Sequence, residues 1–339
     1  MNCEFVRRNV RANCIGLLNY HLPEHYIILH SAFCILHSAH YEVPMKRFLC
    51  ILILLISLPV LTSAETLVTS FYPVWILTLN LTDGIEGLEV VNMAEPATGC
   101  LHDYTLRNSD MVTLSGADAL LVNGAGMESF LPVVTGAYPD LPVIDATDGL
   151  PFISESDIVE IGEAEEGEAV NSHLWLDPQR AAGMAANLAE GLVKLLPDRE
   201  QQILDNLEKF SERLKALDET IREETAGIDR KVIIFHEALP YFAEACGLTP
   251  AAIVNKEPED SLPTAQLVTV TKLIRSEEQM PLILKSAEED PSVNTLVIET
   301  GIPVCELDPM TSGPDNPPLD YYEAIMMQNV QTLLNAIVQ

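Results

Sequence analysis

Short runs of apolar and β-branched residues alternate with stretches of helical pattern throughout residues 65–339. Four runs precede one long helical segment and four follow it, near residues 67, 88, 119, 142, 231, 251, 281 and 303. Strands that alternate with helices are typical of parallel sheets whose faces are covered by helices. The alternation therefore predicts an α/β fold with two lobes, each built on a mainly parallel sheet flanked by helices.

The long segment between the two sets of runs, residues 198–224, has the pattern of an amphipathic helix. Its apolar residues are spaced by three or four, at Leu204, Leu207, Phe210, Leu214, Leu217 and Ile221. At 1.5 Å per residue such a helix is about 40 Å long, more than the diameter of a small domain. We interpret it as a rigid connector, with an ordinary surface helix as the alternative. The predicted division is an N-terminal lobe at 65–197, a connecting helix at 198–226 and a C-terminal lobe at 227–339.

Residues 45–64, MKRFLCILILLISLPVLTSA, have the order of a secretory signal peptide: basic residues, an apolar run and small residues. The apolar run of about fourteen residues is shorter than the roughly twenty that a spanning helix needs. No Cys ends the run, so lipid attachment is not supported. We expect translation to start at Met45, which makes residues 1–44 a non-native upstream extension. The chain is thus predicted to be exported, to the periplasm or to the outer face of the cytoplasmic membrane.

Only three of the eight histidines remain after this leader: His102, His173 and His236. Each lies at the end of a strand run or in a turn, and the carboxyl ends of parallel strands are where open α/β sheets bind ligands. Asp308 follows another strand run, with a turn cap as its alternative role. Three imidazoles and one carboxylate or water suit a four-coordinate zinc ion, whereas manganese prefers more oxygen. These residues are the candidate metal ligands.

The chain is strongly acidic, with 50 Asp and Glu against 19 Lys and Arg and a formal charge of −31. This balance excludes nucleic acid as a partner, because no basic stripe is present to neutralise phosphates. It favours binding of cations and a soluble monomer. The most acidic stretch, residues 155–168, is interpreted as a solvated loop, with cation collection as the alternative.

A catalytic zinc site is a second hypothesis, because an open His-rich site can activate a water molecule. The supporting motifs are missing: Pro240 stands where an HExxH helix starting at His236 would need its second histidine. A zinc-dependent hydrolase therefore remains the alternative to a metal carrier. A surface adhesin that uses the metal only structurally is a third possibility.

Seven segments carry a resemblance to a known family. They are FYPVW at 71, GCLHDYTLRNSD at 99, ADALLVNGAGMESFL at 117, HLWLDP at 173, FHEALPYFAEACGL at 235, ETGIPVCELDP at 299 and YYEAIMMQNVQTLLNAI at 321. Together they resemble the solute-binding proteins of ABC importers for zinc and manganese, closest to those for high-affinity zinc uptake. The resemblance extends over nearly all of residues 65–339.

This resemblance implies two α/β lobes joined by a long rigid helix, with the metal in the cleft between them. His102 and His173 would come from the first lobe, and His236 and Asp308 from the second. The implied function is capture of Zn(II), with Mn(II) possible, and its delivery to a membrane permease without enzymatic chemistry. A histidine at 236 is similar to the zinc-type members, since the manganese type tends to have Glu there.

The sequence departs from the family pattern next to the first histidine, where Cys100-Leu101 replaces the usual Asp-Pro. Cys100 is therefore an alternative ligand, as is water. Each ligating ring should donate its second N–H to an acceptor. The nearest candidates in sequence are Asp103, Asp177 and Glu237, each with local capping as its alternative role.

Overall fold

The structure, a computed structural model, describes residues 64–94, 104–153, 160–162, 170–255, 261–287 and 289–338. Three of the predicted ligands, His173, His236 and Asp308, lie within these ranges. Outside these ranges lie the predicted leader up to residue 63, most of the acidic stretch 155–168, and Cys100, His102 and Asp103. Residues Ser63–Gln339 form one compact unit.

Two sheets make up this unit. Their strands are β1 (Glu65–Thr69), β2 (Leu88–Asn92), β3 (Ala119–Val122), β4 (Val143–Asp145), β5 (Glu160–Gly162), β6 (Lys231–Ile234), β7 (Thr249–Asn255), β8 (Leu282–Ser286) and β9 (Val304–Leu307). The helices are α1 (Tyr72–Thr82), α2 (Asn108–Ser115), α3 (Leu131–Ala137), α4 (Pro178–Leu195), α5 (Glu200–Glu224), α6 (Leu239–Ala245), α7 (Thr264–Ser276), α8 (Pro291–Thr300) and α9 (Tyr321–Val338).

The first sheet has the order β2-β1-β3-β4, and its strands are parallel. Every residue of β3 is buried, as expected for a strand of a parallel sheet that is covered on both faces. Helix α1 is buried on nearly all sides, because it is apolar almost throughout and packs against both α4 and α5. Strand β1 ends beside this helix.

The second sheet has the order β5-β7-β6-β8-β9 and is also parallel. Strand β5 pairs with β7 although it precedes the long helix in the chain. The described part of residues 155–168 therefore contributes to the sheet that the C-terminal half builds. The predicted architecture of two parallel-sheet α/β lobes is confirmed.

Helix α5 spans 25 residues and packs against α1, α4 and α9. Its buried apolar residues are Ile203, Phe210, Leu214, Leu217 and Ile221. The predicted apolar stripe is therefore right from Phe210 onward and wrong at its start. Leu204 is 40% exposed and Ile203 is buried in its place, while Leu207 is partly buried against the core.

Side-chain contacts of Trp175, Tyr322 and Arg180 are among those that tie N-terminal to C-terminal elements. The Trp175 indole N–H donates to the Pro309 carbonyl at 2.9 Å, and the Tyr322 hydroxyl donates to the Trp175 carbonyl at 2.6 Å. The Arg180 guanidinium at the start of α4 lies 4.9 Å from the centre of the Tyr241 ring in α6. One buried apolar cluster includes residues from both sheets, and a second lies around the second sheet.

No helix within the described ranges combines the length and the apolarity that crossing a bilayer requires.

Candidate metal centre

His173 is held in a fixed orientation by Asn171, two residues before it. The Asn171 side-chain oxygen accepts the His173 backbone N–H at 3.1 Å and lies 3.0 Å from His173 Nδ1. An amide oxygen can only accept, so Nδ1 carries the ring proton. When this ring is neutral, its Nε2 is unprotonated, which is the form that binds a metal.

His173 is buried, with aromatic residues beside its ring. The ring is 1% exposed and its centre lies 5.0 Å from that of Trp175, which in turn meets Phe71 edge to face. The residues that follow, Leu174–Leu176, form a buried 3₁₀ turn that leads into α4.

Asn171 also reaches the second sheet's loops. Its side-chain NH₂ donates to the Glu237 carbonyl at 2.7 Å, and its own carbonyl accepts the Tyr241 hydroxyl at 2.7 Å. Both partners belong to the segment that runs from β6 into α6. The loop that carries His173 is thus bonded to the segment that carries His236.

His236 follows β6 and is 8% exposed. Its ring centre lies 6.4 Å from that of His173, at an interplanar angle of 77°. Its Nδ1 accepts the Ala238 backbone N–H at 3.1 Å. The structure therefore brings these two predicted ligands together, one from each side of the long helix in sequence.

Glu237 places a carboxylate next to this pair of rings. Its Oε1 lies 3.5 Å from His173 Nε2, and its side chain is 51% exposed. The sequence predicts Glu237 as a candidate acceptor for the second N–H of a ligating histidine ring. Asn171 occupies that role for His173, and the Glu237 carboxylate faces the metal-binding nitrogen instead.

Asp308 occupies a turn after β9. Its Oδ1 accepts the Met310 backbone N–H at 2.7 Å, and its backbone groups bond both ways with the Asn329 amide. Burial raises the pKa of this carboxyl group, and the bond from Met310 opposes that shift. These contacts correspond to the turn-capping alternative, and the ligand role of Asp308 stays a prediction.

Asp177 is a helix cap. Its carboxylate accepts the backbone N–H groups of Gln179 and Arg180 and pairs with the Arg180 guanidinium. The suggestion that it supports a ligating ring is therefore wrong, because the first turn of α4 uses its oxygens.

A buried carboxylate fixes the loop after β3. Glu128 accepts the Ser70 hydroxyl at 2.7 Å and the backbone N–H groups of Asn123 and Gly124 at 2.7 and 3.0 Å. Burial raises the pKa of Glu128, and these hydrogen bonds oppose the shift. The Asn123 amide then donates to the Ser172 carbonyl at 2.9 Å, directly before His173.

The thiols of the described chain do not take part. Cys246 and Cys305 are free and buried, and burial raises the pKa of Cys305 to about 12 and that of Cys246 further.

Among the described residues, no group of three or more His, Cys, Asp and Glu side chains is arranged to hold a metal ion. The predicted third imidazole, His102, lies outside those residues. The structure brings His173 and His236 together. The full ligand set stays a prediction, with His102 and Asp308 as its other members.

Comparison with known proteins places the chain in a family. Residues 67–336 match the family of the zinc-uptake complex component A, periplasmic. The chain belongs to this family, and the resemblance stated from the sequence motifs is confirmed. The family is one of substrate-binding components of uptake systems and not of enzymes, so the hydrolase alternative is not favoured.

Individual relatives are distant in sequence. The high-affinity zinc uptake system protein ZnuA of Yersinia pestis is 27% identical over 293 residues, which cover 79% of this chain and 90% of the relative. The manganese-binding lipoprotein MntA of Halalkalibacterium halodurans is 23% identical over 245 residues, 70% of this chain and 78% of the relative.

Solved structures share the fold. The nickel complex of FpvC from P. aeruginosa has a TM-score of 0.68 at 22% identity, covering 81% of this chain and 97% of that one. A crystal structure of ZnuA has a TM-score of 0.67 at 21% identity, covering 80% and 99%.

Proposed function

We propose that this chain captures Zn(II) outside the cytoplasm and delivers it to the membrane permease of an ABC importer. The observation that carries the proposal is the pairing of His173, whose Nδ1 is held by the Asn171 amide oxygen, with His236, whose ring centre lies 6.4 Å away. A buried imidazole fixed in its metal-binding tautomer by an amide oxygen is what a zinc ligand requires. Zinc would enter as cargo, and no bond of a substrate would be broken.

The ligands proposed are His102, His173, His236 and Asp308. His236 must change its proton position to serve through Nε2, because its Nδ1 now accepts the Ala238 N–H. In the tautomer that frees Nε2, the Nδ1–H of His236 would face the Ala238 backbone N–H, so that two donors would oppose each other. We expect the His236 ring to turn when zinc binds.

We propose lobes at 65–197 and 227–339 joined by the connecting helix at 198–226, with strand β5 of the first range paired into the second sheet. The shared apolar core and the bonds from Trp175 to Pro309 and Tyr322 support small tilts and loop ordering on metal binding, rather than a wide hinge movement. We also propose residues 45–64 as the export signal, residues 1–44 as an upstream extension, and a monomer as the working form.

Zinc titration against a competing chelator tests this function. The chain purified after export should bind one zinc ion tightly, and His173→Ala should weaken binding more than about 100-fold, beyond the 10–100-fold typical of losing a partner of a ligand. Asp177→Asn is the control: it changes a carboxylate four residues away that caps α4. Zinc binding by the triple His102, His173 and His236 alanine variant at the parent's affinity would contradict the proposal. Metal-dependent ester or amide hydrolysis would favour the hydrolase instead.

A further inference from the structure

We infer that the Tyr241 hydroxyl is a positioning group that holds the His173 loop against helix α6 and thereby slows the release of bound zinc. This inference rests on the proposed metal-capture function and concerns retention of the ion, not the identity of its ligands. It is carried by two hydrogen bonds of one buried hydroxyl, which donates to the Asn171 carbonyl and accepts the Ile153 backbone N–H.

Tyr241 joins the segments that carry the two neighbouring histidines. It lies in α6, in the segment that begins with His236, and its hydroxyl donates at 2.7 Å to the carbonyl of Asn171, in the loop that carries His173. The Asn171 side chain returns a bond to the same segment, because its NH₂ group donates to the Glu237 carbonyl at 2.7 Å. The two loops are therefore joined by hydrogen bonds of opposite direction, one to the backbone of Asn171 and one from its side chain.

A second N-terminal segment meets the same hydroxyl. The Ile153 backbone N–H donates to the Tyr241 oxygen at 3.3 Å. Tyr241 has no exposed surface, and a phenylalanine in its place would take this partner from both the Asn171 carbonyl and the Ile153 N–H. A partly buried polar group that loses its partner costs more free energy than the bond itself contributes.

The ring that carries the hydroxyl is held by Arg180 at the start of α4. The guanidinium lies 4.9 Å from the centre of the Tyr241 ring and pairs with Glu244, further along α6, at 3.2 Å. Its Nε also donates to the Pro151 carbonyl at 3.3 Å. One cation thus contacts α6 and the segment that leads to Ile153, so the hydroxyl has a defined position relative to the N-terminal loops.

This position of Tyr241 acts on the release of zinc more than on its capture. The ring centres of His173 and His236 lie 6.4 Å apart, and a movement that breaks the bond from Tyr241 to Asn171 shifts the loop that carries His173. An ion held between loops leaves when the loops separate. Contacts that exist only in the joined arrangement slow dissociation and have little effect on association.

The test compares Tyr241→Phe with Tyr138→Phe by zinc release into a chromophoric chelator, at chelator concentrations that no longer change the rate. Tyr138 is the matched control, because its hydroxyl also donates to a carbonyl, that of Met111 at 2.8 Å, but within the N-terminal lobe. We expect Tyr241→Phe to release zinc about 5- to 30-fold faster, the range for a lost hydrogen bond whose partners stay unpaired. Release from Tyr138→Phe, and association in both variants, should stay within about twofold of the parent.

Thermal unfolding separates positioning from stability alone. Both substitutions remove a hydrogen bond of a hydroxyl group, so both should lower the Tm of the metal-free chain while its unfolding stays cooperative. The rise in Tm on adding zinc should shrink only in Tyr241→Phe, because this rise reports zinc affinity for the folded chain.

Two outcomes would overturn the role of Tyr241 and leave zinc capture intact. One is release from Tyr241→Phe within about twofold of the parent. The other is equal acceleration of release in Tyr241→Phe and Tyr138→Phe. A parent chain that binds no zinc would instead refute the proposed function itself.

Discussion

Replacing Asn171 by Ala should weaken zinc binding about 10- to 100-fold, the range found when a partner of a metal ligand is lost. The side chain makes three contacts that define the site: to the His173 backbone N–H, to His173 Nδ1, and to the Glu237 carbonyl, at 3.1, 3.0 and 2.7 Å. Alanine removes all three. The buried imidazole then loses the acceptor that holds its proton on Nδ1.

The magnitude follows from two costs. A buried donor without a partner costs about 1–3 kcal/mol. Moving the proton to Nε2 relieves that cost but blocks the metal-binding nitrogen. In either case the metal-binding form becomes less favourable, and the expected 10- to 100-fold loss corresponds to about 1.4–2.8 kcal/mol.

The assay is chelator competition at pH 7.5, together with thermal unfolding of the metal-free chain. Asn206→Ala is the matched control, because the Asn206 amide also donates two hydrogen bonds, to the Leu81 and Asp83 carbonyls, but contacts neither imidazole. We expect Asn206→Ala to lower the free energy of unfolding by about 1–2 kcal/mol and to leave zinc affinity unchanged. Asn171→Asp keeps the acceptor for Nδ1 and should bind zinc better than Asn171→Ala. Equal zinc affinities for Asn171→Ala and Asn206→Ala would refute the role assigned to Asn171.

Three further predictions concern pH and packing. Zinc affinity should fall by at least about tenfold between pH 7.5 and 5.5, because protons compete for imidazoles that titrate near 6.5 when unperturbed; a pH-independent affinity would exclude histidine ligands. Gly124→Ala should lower the free energy of unfolding by at least about 2 kcal/mol, because the φ of Gly124 is +87° and a Cβ there would overlap the Asp145 carboxylate. Gly126 is the control: its φ is +83°, but a Cβ would meet open space, so Gly126→Ala should lower the free energy of unfolding less. Equal losses for the two variants in denaturant titrations would contradict this. Ile203→Ala should cost about 2–5 kcal/mol and Leu204→Ala less than about 1 kcal/mol, which urea unfolding would check against their burial.

The fold was predictable because its signals are local. Each strand run and the long amphipathic helix can be identified from a few neighbouring residues, and both sheets contain the expected parallel strands. Strand β5 was not predictable: three residues in an acidic stretch have no strand pattern of their own, and their pairing with β7 depends on where the chain crosses to the second sheet. The error at Leu204 and Ile203 is of the same kind, because the packing partners of a helix and not its own sequence decide which of two adjacent apolar residues is buried.

The site was predictable in its residue types and less so in their partners. Position at the end of a strand run or in a turn identified His236 and His173, which the structure brings together. Asn171 was missed although it lies two residues from His173, since an asparagine in a loop is usually a turn residue. The bonds from Glu128 to Ser70 and from Asn123 to Ser172 join residues 58 and 49 positions apart, a separation that no local pattern reports.

The hydrogen bonds of Asn171 couple zinc capture to the relative position of two loops, the one that carries His173 and the one that carries His236. The same side chain sets the tautomer of His173 and joins its loop to Glu237, while Tyr241 bonds to the Asn171 carbonyl. A movement that separates the two loops must break these bonds and move His173 away from His236. By linkage, zinc that prefers the joined arrangement stabilises it by about 2.7 kcal/mol at a free concentration 100 times its Kd. Release to a permease therefore needs only a partner that binds the separated loops with comparable free energy, without any chemical step.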